Sequence, residues 1–189
     1  ASIAAITSAA MSGLSAANIA ALSTGQVAVL KTGQIAALKT SQVKVLTTLQ
    51  VTTLTTAQIG AFGSAQVAAL TTDNIAALST SQIAALSSRS VAGLTTAQID
   101  TLSSSQIGAF GTAQVRAFGS AQVAALTTAD IAELSTANIA AINRTALSGL
   151  STTDIANLKS DQLLAITTAQ LQALDSGQVG AIIAAYHAV

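Results

Sequence analysis

Tyr186 and His187 sit side by side near the C-terminus and are the chain's only tyrosine and only histidine. An imidazole can serve as a general base or a metal ligand, but a zinc centre needs three or four converging donors, and this chain has one histidine and no cysteine. Both residues are read as tail residues with a structural role. Serine and threonine are abundant, yet a nucleophilic hydroxyl needs a neighbouring base, and the sequence before the tail contains no histidine and no lysine at a repeated distance from a unique serine. Asp73, Asp100, Asp130, Glu133, Asp154, Asp161 and Asp175 are the acidic residues. They fall at scattered phases of the sequence pattern described below, whereas calcium-binding repeats set carboxylates in one column of successive copies. Asn143-Arg144-Thr145 matches a glycosylation sequon in form and is read as drift in a degenerate copy. The expected sets of catalytic, cofactor-binding and metal-binding residues are therefore empty, and the chain is expected not to be an enzyme.

Composition narrows the function classes further. Charged residues make up 7% of the 189 residues and aromatics 2%, and proline, cysteine and tryptophan are absent. Seven basic and seven acidic side chains cancel, so there is no electrostatic footprint for nucleic acid and no polybasic patch for an anionic bilayer. Lys31, Lys39 and Lys44 are the only charges before Asp73, a weak polarity compatible with head-to-tail association. Mean hydropathy is positive, but Ser, Thr or Gln interrupts every apolar run well short of the roughly 18 residues that a spanning helix needs, so membrane insertion is not expected. The chain opens Ala1-Ser2-Ile3 without initiator methionine or signal-peptide core and is read as a segment of a longer protein.

The residues above are held in a pattern with a period of eight. Writing the chain in octads from Thr7 aligns every residue to Ile182, giving 22 repeats without insertion or deletion. Residues 1–6 are a partial copy and residues 183–189 a non-repeating tail, so 1–189 is read as one array. Ser79-Thr80-Ser81-Gln82-Ile83-Ala84-Ala85-Leu86 is a typical repeat. Position 5 is Ile, Val, Leu or Met and position 8 is Leu, Ile or Phe in all 22 repeats, which makes these two columns the core. Position 2 is Ser or Thr except at Ala16 and Arg144, and position 4 is Gln in 14 repeats. Position 7 is mostly Ala, which implies close packing against it. Positions 1, 3 and 6 accept Lys31, Asp73, Arg89, Lys44, Asp100 and Arg116, and so face water.

A single long helix cannot keep this register, because eight residues at about 100° each overshoot two turns by about 80° and the apolar seam would spiral. The chain must turn once per repeat. Positions 5 and 8 lie three apart on one helical face, and Ala and Gln between the caps are good helix formers. A Ser or Thr at position 2 suits an N-cap, while Ser or Thr at position 1 with Gln at position 4, as in Thr55 and Gln58, suits a capping box. The expected fold is therefore all-α: a solenoid of short helices, one per octad, with two successive repeats forming a 16-residue hairpin as one layer. A β-solenoid is the alternative, weakened by the opposite parity of positions 5 and 8 and by the Ala-Ala step. Gly63, Gly111 and Gly119, each after a Phe, suit a helix C′ position and equally a tight β-corner. Gln in column 4 and Ser or Thr in columns 1 and 2 are expected to form polar ladders, which either cap helices and satisfy buried backbone or present a hydroxyl and amide lattice to a ligand.

The run Thr95-Thr96-Ala97-Gln98-Ile99, and the TTAQIAAL-type octads generally, resemble octapeptide tracts in very large repeat proteins of proteobacteria that are labelled surface, adhesin-like or agglutinin-like. The resemblance implies a secreted or cell-surface spacer, stalk or filament, and it carries over no catalytic residue. On this basis the chain is expected to be a structural segment that associates with itself, end to end or laterally. The alternative is a binding module that presents Ser, Thr and Gln ladders to extracellular carbohydrate, ice or protein. Position 1 alternates among Thr, Ser, Lys, Gly, Asn and Asp, so a flat threonine plane for ice is poorly kept.

Overall fold

The computed structural model describes residues 3–188. Over that span the regular structure is one 3-10 turn, Ile3–Ala5, followed by 22 α-helices, one starting in each octad, with no strand among the described residues. The helical solenoid is correct and the β-solenoid is excluded. Most helices are four to six residues long. That is far below the ~12–15 residues at which an isolated helix becomes marginally stable, so packing has to supply what local propensity cannot.

Repeat 7 shows how the sequence builds one element. Thr55 is extended (φ −69°, ψ 161°) and caps α7 (Thr56–Gly60) by accepting a hydrogen bond from the Gln58 N–H, while the Gln58 side chain accepts from the Thr55 N–H. The helix closes when the Phe62 N–H donates to the Ile59 carbonyl at 3.2 Å, and the next cap, Gly63, is again extended. Two extended residues between right-handed helical stretches turn the chain, so no corner needs a left-handed residue; no positive φ occurs among the described residues.

This geometry decides between the two cap readings in favour of the capping box and corrects the reading of the glycines. In every repeat the N-cap is position 1, not position 2, which is instead the first helical residue. The capping box explains the choice, because only a cap three residues ahead of the position 4 amide lets that side chain reach back to it. Gly63, Gly111 and Gly119 are likewise N-caps with φ of −85°, −79° and −88°, not C′ residues. Glycine is tolerated there because the returning bond from glutamine goes to the backbone N–H, which glycine retains.

The chain forms two compact units, Ala1–Leu94 and Thr95–Val189. In the N-terminal unit α1 (Ser8–Gly13) packs on α4 (Thr32–Ala36), α4 on α7, and α7 on α10 (Thr80–Ala85). In the C-terminal unit α13 (Ser104–Gly108) packs on α16 (Thr128–Glu133), α16 on α19 (Thr152–Ala156), and α19 on α22 (Ser176–His187). Within each unit, helices thus rest on those three repeats earlier. The layer is a coil of three repeats and 24 residues, and the expected two-repeat hairpin is wrong. An octad places its apolar face the same way in every copy, so its pattern carries no information on how many copies close a coil.

Burial follows the columns. Position 5 is sealed through the interior of the array, as at Val51, Ile59, Val67 and Ile83, all 0% exposed, and position 8 nearly so; towards the C-terminal end Leu171 is 37% exposed and Val179 half-buried. Phe110 and Phe118, at position 8 of successive repeats, meet edge to face with ring centroids 5.2 Å apart. Positions 1, 3 and 6 face outward over most of the array. The inference of close approach at position 7 also holds: a Cβ on Gly93 would overlap the Ser64 backbone of the coil beneath, and one on Gly149 would overlap the Ser120 carbonyl. At the C-terminal end, residues 183–187 offer no hydroxyl or amide pair to cap a new helix, so α22 runs past Ile182 to His187 instead of turning.

Candidate functional site

Residue types with chemical potential are dispersed over the surface. Tyr186 is 47% exposed and His187 is exposed, both on the overrun of α22. No group of three or more His, Asp and Glu side chains converges among the described residues. Most acidic residues serve the backbone: Asp175 accepts from the Gln178 N–H at 2.8 Å, and Asp130 and Asp154 accept from the N–H groups of Thr127 and Ser151. Asn143 uses its Oδ1 to accept from both the N–H and the hydroxyl of Thr145, so the sequon residues form a local cap on an exposed corner. Lys159 donates from Nζ to the Ala132 carbonyl at 2.6 Å.

The one constellation built repeatedly is the column 4 glutamine. Gln58 is 3% exposed, and both its amide oxygen and its amide nitrogen are hydrogen-bonded. Its Oε1 accepts from the Thr55 N–H at 2.7 Å; its Nε2 donates to the Val27 carbonyl at 3.1 Å and to the Leu30 carbonyl at 2.7 Å. Val27 and Leu30 are positions 5 and 8 of a repeat four earlier, at the corner lying directly beneath in the coil. The same arrangement recurs at Gln42 with Met11 and Leu14, at Gln66 with Ile35 and Leu38, and at Gln170 with Ile139 and Ile142. Gln34 makes these bonds to Ile3 and Ile6.

Glutamine suits this position for a definite reason. A helix leaves its last carbonyls without intrahelical partners, and a buried corner keeps water from them. The rung must donate twice to the corner below and accept once from its own N-cap, all from a stem long enough to span two coils; of the common side chains only the Gln amide does so. The shorter substitutes show the limit. Asn74 and Asn138 donate only to the position 8 carbonyls, Leu46 at 3.0 Å and Phe110 at 2.9 Å, and Ser90 donates only to Phe62. The amide ladder anticipated from sequence is therefore real but faces inward. Its role in satisfying buried backbone was legible there; its reach to the preceding coil was missed. The available signal was a column that takes Gln, Asn, Asp, Ser or Ala but never Lys, Arg or Glu.

No curated protein matches this chain in sequence. The family model of the ALTTAQ repeat matches residues 25–56, 51–80, 75–112 and 104–136, which together span more than half of the chain and lie inside the octad array. With its repeats of Thr-Thr-Ala-Gln type wound into short capped helices, the chain belongs to the ALTTAQ repeat family.

Proposed function

We propose that this structural repeat segment is a spacer, stalk or filament-forming element of a secreted or cell-surface bacterial protein, associating with copies of itself and performing no catalysis. The observation that carries the reading is the self-sufficiency of the coil. Where the glutamine column is complete, each coil spends its amide donors on the coil before it and offers the same corner to the coil after it, so length is added by repetition with no specialised loop. A reach-extending element needs this property and an active site does not. The resemblance to surface-protein tracts supports the location, and no described helix is long and apolar enough to cross a membrane.

Small-angle scattering and analytical ultracentrifugation of this segment test the proposal. It predicts an elongated particle whose sedimentation shows association as concentration rises. A compact particle that stays monomeric at all concentrations contradicts it. The competing reading, a binding module, keeps some support from hydroxyls that remain outward at position 2, such as Thr56, Thr80, Thr96 and Thr112. It loses most of its amide component, because the column 4 glutamines other than Gln26 are buried. A glycan array and an ice-recrystallisation assay separate the two; the stalk reading predicts no specific signal in either.

A further inference from the structure

In repeats 16–19, residues 127–158, four successive column 4 positions lack glutamine: Asp130, Asn138, Ala146 and Asp154. The corners beneath them end in the carbonyls of Leu102, Phe110, Phe118 and Leu126, all within the C-terminal unit. Asn138 serves Phe110 at 2.9 Å. The carboxylates of Asp130 and Asp154 retain the capping role but have no N–H to donate to the corner carbonyls; Asp154 accepts instead from the Thr128 hydroxyl of the coil below at 2.8 Å, and the Ala146 methyl has neither function. Above this level the rungs resume, with Gln162 donating to Ile131 and Leu134 at 2.8 and 2.7 Å, Gln170 to Ile139 and Ile142, and Gln178 to Leu150.

We propose that this run is a yielding seam, the junction at which the C-terminal unit parts first when it is pulled or warmed. Across this run the coils are held mainly by apolar burial of Ile131, Leu134, Ile139, Ile142, Leu147 and Leu150, with the Asn138-to-Phe110 and Thr128-to-Asp154 hydrogen bonds as polar links. Burial of this kind is non-directional and falls away with the area exposed, whereas a rung fixes register and leaves two carbonyls unsatisfied when it breaks. Close approach at Gly149, packed on Ser120, adds contact there but no polar bond between coils. The clustering matters because one incomplete rung is bridged by complete neighbours, while four successive repeats without a complete glutamine rung span more than a full coil. In a load-bearing stalk the seam is the extensible joint; that use rests on the stalk reading, and the seam itself does not.

Hydrogen exchange read by mass spectrometry on the full chain, as urea is raised below the unfolding midpoint, tests it. Backbone amides of residues 127–158 are expected to exchange about ten-fold faster than those of residues 47–70, where Gln50, Gln58 and Gln66 complete their rungs, consistent with local opening below the global transition. Asp130→Gln, Ala146→Gln and Asp154→Gln, singly and together, are expected to slow exchange in 127–158 progressively and leave 47–70 unchanged. Equal exchange of the two segments in the unaltered chain overturns the proposal, as does a folded single variant, Ala146→Gln, with no slowing. Neither outcome depends on particle shape or self-association, so failure here leaves the stalk reading standing, and the reverse.

Discussion

At the residue scale the account turns on side chains that are polar, buried and fully bonded. Gln58 and Gln26 occupy the same column, but Gln26 is exposed and has no coil beneath it; its Oε1 caps Ser23 at 2.8 Å. Gln58→Leu is predicted to destabilise by about 2 to 4 kcal/mol, since two buried carbonyls lose their donor, and Gln26→Leu by about 1 kcal/mol, the worth of a cap. Urea melts of the two variants check the difference, and equal losses would refute the rung. Leu86→Ala is predicted to cost about 2 to 5 kcal/mol and Arg116→Ala about zero, because Leu86 is 3% exposed and Arg116 faces water. Column identities such as these were readable from sequence, because positions that take Lys or Arg, as 1, 3 and 6 do, face water. The downward reach of glutamine was not, since it depends on what lies a coil away, 28 to 31 residues back in the chain.

At the scale of the element, each octad is a helix too short to survive alone, started by a box and stopped by two extended residues. Ser79→Ala removes the hydroxyl that accepts from the Gln82 N–H at 3.2 Å and is predicted to cost about 1 kcal/mol. Ser79→Gly is predicted to cost only a few tenths, as the natural caps Gly63, Gly111 and Gly119 suggest; thermal melts distinguish the two. Position 7 shows the complementary constraint. Gly93→Ala would drive a methyl into the Ser64 backbone and is predicted to cost about 1 to 3 kcal/mol, whereas Gly13→Ala meets nothing within 4 Å and is expected to be neutral or stabilising. The helix, its length and its apolar face were all legible in the octad. Of the two cap readings, a hydroxyl at position 2 and a capping box from position 1, the box is the one formed; sequence left both open because Ser and Thr fill both positions, and hydroxyl propensity alone does not say which of two neighbours is extended. The role of the glycines was misread for a related reason: a corner made of extended residues has no need of a left-handed one.

At the scale of the molecule, the property to be established is that three repeats close one coil. Nothing in a strict period of eight distinguishes two copies per layer from three, so this number belongs to packing rather than pattern. The chain's lack of cysteine makes it directly measurable. A Cβ on Gly108 would lie 3.3 Å from the Glu133 Cβ, close to the separation of ~3.5–4.5 Å found across disulfides. Gly108 is position 6 of repeat 13 and Glu133 position 7 of repeat 16; Ala125 is the equivalent of Glu133 in repeat 15, where a two-repeat layer would place the contact. The measurement is disulfide formation under mild oxidation in the pair Gly108→Cys with Glu133→Cys, set against Gly108→Cys with Ala125→Cys. Near-complete intramolecular closure of the first pair and none of the second is predicted; closure of the second pair in preference to the first would contradict the three-repeat coil and the glutamine rungs that depend on it.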